Sequence, residues 1–117
     1  MTEKERRKHA RAKLRQVAQA GQQDAEGARH EIMASTKDVS EGGVRLEARA
    51  AFDIGSDIQV TFAMGEEIVE AKGSVANFMI QEDGTVSMGV RFSDLSPDSR
   101  KRIEDYCKKK ITGKPGS

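Results

Sequence analysis

Residues 57–64 read DIQVTFAM, with Ile58, Val60, Phe62 and Met64 alternating with Asp57, Gln59, Thr61 and Ala63. Apolar side chains at every second position line one face of an extended chain, so this stretch predicts a half-buried β-strand. Beyond it, Gly65-Glu66-Glu67 forms a turn, Ile68 to Met79 resumes with β-branched and apolar residues, and Glu82-Asp83-Gly84 turns the chain again. Thr85 to Phe92, TVSMGVRF, then puts Val86, Met88, Val90 and Phe92 on one face and completes a three-stranded meander. Gly89 inside that strand marks a bulge or a close backbone approach.

Toward the N-terminus, Arg29 to Asp38 (RHEIMASTKD) and Val44 to Ala48 (VRLEA) are shorter strands. Between them lies Val39-Ser40-Glu41-Gly42-Gly43, read as a loop whose two glycines permit positive φ. Leu14 to Ala28 is mixed: its Gln and Ala residues favour helix locally, whereas Gly21 and Gly27 interrupt one, and a weak first strand is the expectation. The C-terminal end predicts a helix over 97–110. Ser96 caps it, Pro97 takes its first position, Asp98 lies in the first turn, and Lys108, Lys109 and Lys110 sit where the dipole favours cations. Ile103, Tyr106, Cys107 and Ile111 give it one narrow apolar stripe, and residues 112–117 form a flexible tail.

A chain of 117 residues suits one domain with a single modest core. Hydrophobic residues make up 36% and charged residues 33%, and with four Phe, one Tyr and no Trp the core has to be thin. Short strands closed on themselves suit such a composition, because closure satisfies edge hydrogen bonds without large side chains. No window approaches the roughly 18 apolar residues needed to cross a bilayer, and the N-terminal MTEKERRKHARAK carries charge where a signal peptide needs apolar residues. The expectation is a soluble cytoplasmic protein with no membrane insertion. The single Cys107 cannot form an internal disulfide and fits a half-buried packing role.

The net charge of +1 hides an asymmetry. Residues 1–15 and residues 100–117 each carry seven Lys or Arg against two acids, while 16–99 hold six bases and fifteen acids. Basic ends suit anion recognition; an acidic body disfavours wrapping a nucleic acid polymer. The aromatic stacking platforms of single-strand binders are nearly absent as well.

Two motifs carry chemistry. The run Glu5-Arg6-Arg7-Lys8-His9-Ala10-Arg11 offers several guanidinium donors, and the four-residue step from Arg7 to Arg11 lets an arm grasp one compact dianion from two sides. Arg-x-x-x-Arg also occurs at Arg11/Arg15 and Arg45/Arg49, so the register needs support from elsewhere. That support is Asp38-Val39-Ser40-Glu41-Gly42-Gly43, which fits Asp/Asn-x-Ser-x-x-Gly. A carboxylate accepts from guanine N1–H and the 2-amino group, a Ser hydroxyl bonds phosphate or base, and a glycine allows close approach of a ligand. The same residues also cap backbone amides in hairpin loops, which is the structural alternative.

Together the motifs resemble the PilZ family, whose signature is a basic Arg-x-x-x-Arg followed by Asp/Asn-x-Ser-x-x-Gly. The resemblance continues through Gly42-Gly43-Val44-Arg45-Leu46 and through Met88–Pro97 into a terminal helix. It implies an all-β fold with a terminal helix: a six-stranded antiparallel β-barrel at 13–111, preceded by a basic ligand-binding arm at 1–12. It also implies a non-catalytic receptor for cyclic di-GMP. In that family the positions matching Arg7 and Arg11 bind guanine edges and phosphates, and those matching Asp38, Ser40 and Gly43 hold a guanine against the barrel. Arg6, or Lys8, is an extra contact. The expected output passes to a protein partner through ordering of the arm; the alternative is a PilZ-like adaptor that binds protein and no nucleotide. No cofactor is expected. His9 and His30 lack a second ligand at metal spacing, and neither stands in a nucleophile motif.

Overall fold

The structure, a computed structural model, describes residues 11–112, and side chains up to residue 109. Seven strands and one helix follow in order: β1 (Ala12–Lys13), β2 (Val17–Gln23), β3 (Arg29–Ser40), β4 (Gly43–Ala48), β5 (Asp57–Met64), β6 (Glu67–Ile80), β7 (Val86–Asp94) and α1 (Pro97–Thr112). All pairings are antiparallel. The order β3-β2-β5-β6-β7-β4 closes on itself through a β3–β4 ladder, giving the expected six-stranded barrel. The two-residue β1 runs along the same edge of β3 as β2, pairing Ala12 with Val39 and Lys13 with Asp38.

The alternation read in DIQVTFAM is realised in β5: Ile58, Val60, Phe62 and Met64 point into the barrel. Leu46, Met88, Val39, Val44, Val60, Val69 and Val75 complete an interior filled by mid-sized side chains, and the Phe62 ring stacks on Phe92 with centroids 6.5 Å apart. The weak first strand exists as β2. Its Ala18 and Ala20 are buried and its Gly21 faces outward, with the Arg29 guanidinium lying where a Cβ would be. Hydrogen bonds to β3 and β5 on both sides hold an Ala/Gln-rich segment extended that its own propensities would not.

Two sequence expectations change. The segment 39–43 is not an open loop: Val39 and Ser40 belong to the β3–β4 ladder, leaving Glu41 and Gly42 as the turn. Neither Gly42 nor Gly43 has positive φ; that conformation falls to Gly27, Gly55, Gly65 and Gly84. The helix also runs on to Thr112, so one residue assigned to the tail is helical and α1 passes the expected end at 110.

Helix α1 begins where Ser96 Oγ accepts the Ser99 N–H at 3.1 Å. Ile103 and Cys107 bury its apolar stripe, and it lies against β1, β3 and β6. Burial pushes the Cys107 thiol pKa up, Glu41 adding to the effect, so it stays a protonated packing group, its Sγ 3.5 Å from the Val39 carbonyl. Ile111, expected in that stripe, lies beyond the described side chains. No described helix is long and apolar enough to cross a membrane.

Candidate functional site

The site is organised by an irregularity in β3. Ile32, Ala34 and Thr36 face the interior, but the β3–β4 register shifts between Thr36 and Asp38, making Lys37 a bulge. Side chains on a regular strand alternate, so without the extra residue Asp38 would point inward and Val39 outward. The bulge reverses this. Val39 is fully buried, while Asp38 and Ser40, two residues apart, point to the opposite face, Asp38 half-buried and Ser40 buried beneath Arg11.

Strand β1 brings Arg11 to them. Because Ala12 pairs with Val39, the residue before it comes opposite Ser40. Arg11 Nε donates to Asp38 Oδ1 at 2.8 Å, Nη2 reaches the same oxygen, and Nη1 donates to Ser40 Oγ at 3.3 Å. Three residues named from sequence, Arg11, Asp38 and Ser40, therefore form one cluster. Arg6 and Arg7, with the rest of the expected arm up to residue 10, lie outside the described residues, and Ala12, assigned to the arm, is in β1.

Two capacities remain open in this cluster. Arg11 uses only Oδ1 of Asp38, so among the described residues Oδ2 has no partner and can accept two more hydrogen bonds. Ser40 Oγ accepts from Arg11 and, at 3.2 Å, from the Gly42 N–H, so its own hydroxyl hydrogen is the one left to donate. Among the described residues both partners of that oxygen are donors. Gly43 has a different role. A Cβ there would lie 2.2 Å from the Val90 carbonyl oxygen, so the constraint seen in the fold is the close approach of β4 to β7. Gly43 pairs with Ser40 on β3 and with Arg91 on β7.

Arg15, the other end of an overlapping Arg-x-x-x-Arg, makes no bond to the cluster: it is well exposed and pairs loosely with Glu47 at 3.5 Å, although it lines the cleft beside Asp38. Residues not named from sequence do adjoin the cluster. Lys13 sits opposite Asp38, and with Lys37 and Tyr106 it lines an open cleft of about 600 Å³ beside that carboxylate. Lys13 was recoverable, since in an extended arm it lies on the same face as Arg11. Lys37 was not, because its placement depends on the bulge. Arg91 and Arg100 flank a second cleft of about 340 Å³ next to Glu41 and Gly42.

His30 is taken up elsewhere, its Nε2 3.0 Å from Asp24 Oδ2. That contact and the Ala28 N–H hold the Asp24 carboxyl below its ordinary pKa. Among the described residues no group of three or more His, Cys, Asp or Glu could hold a metal.

Comparison with known proteins bears on this geometry. No curated protein matches the chain. Among solved structures, the Bacillus subtilis inhibitor of motility MotI/DgrA superposes with a TM-score of 0.78 at 17% identity, over 93% of this chain and 53% of that one. The PilZ domain of Escherichia coli YcgR with c-di-GMP gives 0.67 at 15% identity, over 92% and 93%. The MrkH–c-di-GMP complex of K. pneumonia gives 0.70 at 18%, over 92% and 53%. The chain thus spans about half the length of MotI/DgrA and MrkH and nearly all of the YcgR domain. At these identities the likeness is one of fold. The PilZ domain family model matches residues 5–109, and with that match over most of its length the chain belongs to the PilZ domain family.

Proposed function

We propose that this domain is a cyclic di-GMP receptor that signals through its N-terminal arm, without catalysing a reaction. The observation that carries the reading is the Arg11–Asp38–Ser40 cluster: one guanidinium bonded to both polar residues of the second motif, with Asp38 Oδ2 and the Ser40 hydroxyl hydrogen unspent among the described residues. A guanine edge offers N1–H and a 2-amino group to a carboxylate oxygen, and each phosphodiester offers acceptors to a guanidinium and a hydroxyl. Family membership supports the same ligand, since solved neighbours of like fold contain c-di-GMP.

In this reading Arg11 keeps its place on β3 and turns part of its fork to the ligand, while Arg7, one step of four up the arm, closes from the other side and Arg6 or Lys8 adds a contact. The arm gains those contacts only in the bound state, so ligand shifts its population toward one arrangement. A protein partner, its identity unassigned, reads that arrangement.

Titration calorimetry with cyclic di-GMP on three chains tests the assignment. Wild type binds; Arg11→Ala loses most of the affinity; Arg15→Ala, which removes an exposed pair with Glu47 and a cleft-lining side chain with no bond to Asp38 or Ser40, changes it little. Thermal stability of Arg15→Ala stays within about 0.5 kcal/mol of wild type, as for other surface substitutions, whereas Arg11→Ala, which also loses its bonds to Asp38 and Ser40, costs about 1 kcal/mol while the barrel stays folded. Equal damage from Arg15→Ala would move the motif by one register and refute the site.

A further inference from the structure

The barrel has two hairpins that overhang its closed ladder, and their edges differ. Residues 29–33 of β3 pair with β2 alone, since β4 joins only from Ala34 onward. This edge carries Arg29, His30 and Glu31. Residues 77–80 of β6 pair with β7 alone, Ala76 bulging between Val75 and Asn77, since the β5 ladder stops at Asp57–Ser74 and Val75 makes the last bonds on that side, to Ser56 and Gly55. This second edge reads Ala76-Asn77-Phe78-Met79-Ile80 and lies in Gly73–Gln81, the longest stretch of the chain without a Lys, Arg, Asp or Glu.

Exposed strand edges invite pairing, and charges or prolines normally guard them. Here there are none, and the apolar side chains are in solvent: Phe78, Met79 and Ile80 are 40%, 68% and 70% exposed. The hydrogen-bond phase is also defined. The turn is closed by Gln81 N–H to Thr85 O at 2.8 Å. Alternation along an antiparallel ladder then directs the main-chain groups of Met79 and Asn77 to β7, and those of Phe78 and Ile80 outward.

We propose that this edge is a self-association site, at which β6 of a second copy of the chain adds antiparallel about a two-fold axis through Met79. In that register Phe78 exchanges both main-chain hydrogen bonds with Ile80 of the second copy and Ile80 with Phe78, while the two Met79 side chains meet on the axis. A second copy suits the edge in charge. The strip carries no charge, so pairing it with itself opposes no like charges, and with a net charge of only +1 the chain as a whole does not repel a second copy. The interface is isologous and short, below the roughly 1,200 Å² of stable complexes, so the dimer is weak and concentration-dependent. It lies apart from the Arg11 cluster and does not rest on the nucleotide reading.

Sedimentation equilibrium of the full chain, paired with amide hydrogen exchange, tests this. The expected result is a mass rising from monomer toward dimer between about 10 µM and 1 mM, with exchange at Phe78 and Ile80 slowing over the same range while Met79, already bonded to β7, does not change. Met79→Lys, at an exposed position where folding should be unaffected, places two ammonium groups on the axis and weakens association at least tenfold, leaving cyclic di-GMP titration unchanged. A chain monomeric at 1 mM, a dimer indifferent to Met79→Lys, or protection gained only with an added Val-rich extended peptide would overturn the proposal, the last assigning the edge to a foreign strand.

Discussion

Asp38 shows how much one side chain can be asked to do. In the fold it anchors Arg11 through Oδ1, and in the proposed complex Oδ2 reads a guanine edge. A carboxylate near bound phosphates adds repulsion, so it is tolerable only if its bonds to the base offset that. Charged hydrogen bonds of this kind contribute about 1.5–3 kcal/mol. Asp38→Ala is therefore expected to weaken cyclic di-GMP at least about tenfold and to reduce discrimination against cyclic di-AMP, whose adenine lacks the N1–H and 2-amino donors. Raising salt weakens both proteins similarly, because the phosphate contacts persist. Parallel titrations with the two dinucleotides measure this; tighter binding by the variant with unchanged selectivity would leave Asp38 as an anchor for Arg11 and nothing more.

At the scale of elements, legibility followed local pattern. Strand β5 and the turns at Gly65 and Gly84 were readable because period-two alternation and positive-φ glycines are written in a few adjacent residues. Gly89 was read only in part: its missing Cβ makes room for a side chain rather than a backbone, Asn77 Oδ1 lying 2.8 Å from where that carbon would sit, and the bulge is in the partner strand β6. The bulge at Lys37 was not readable, because nothing in STKDVS distinguishes one extra residue from regular alternation; pairing with β4 creates it. The same limit misassigned Gly43, taken as a loop glycine when the demand on it comes from Val90 across the sheet. Adding a methyl group there pushes β4 off β7, so Gly43→Ala is expected to cost about 3 kcal/mol or more of stability in urea unfolding. A smaller loss, with ligand affinity reduced, would instead place the constraint on ligand approach.

At the scale of the whole molecule, the charge division found in the sequence acquires a location. Basic Arg11, Lys13 and Lys37 gather on the face that carries Asp38, on a domain whose middle is otherwise acidic. A compact dianion can gain from that local concentration of cations, whereas a long polyanion would meet the acidic surface around it. The central claim is thus one of ligand shape as well as charge: linear pGpG carries the same two guanines and two phosphates, but only the compact cyclic form brings them to both motifs at once. The most direct measurement is calorimetric titration of the wild-type chain with cyclic di-GMP, linear pGpG and GTP under one buffer and salt condition. Cyclic di-GMP should bind much more tightly than either of the others, and equal affinity for all three would contradict the account and reduce the site to a generic basic arm.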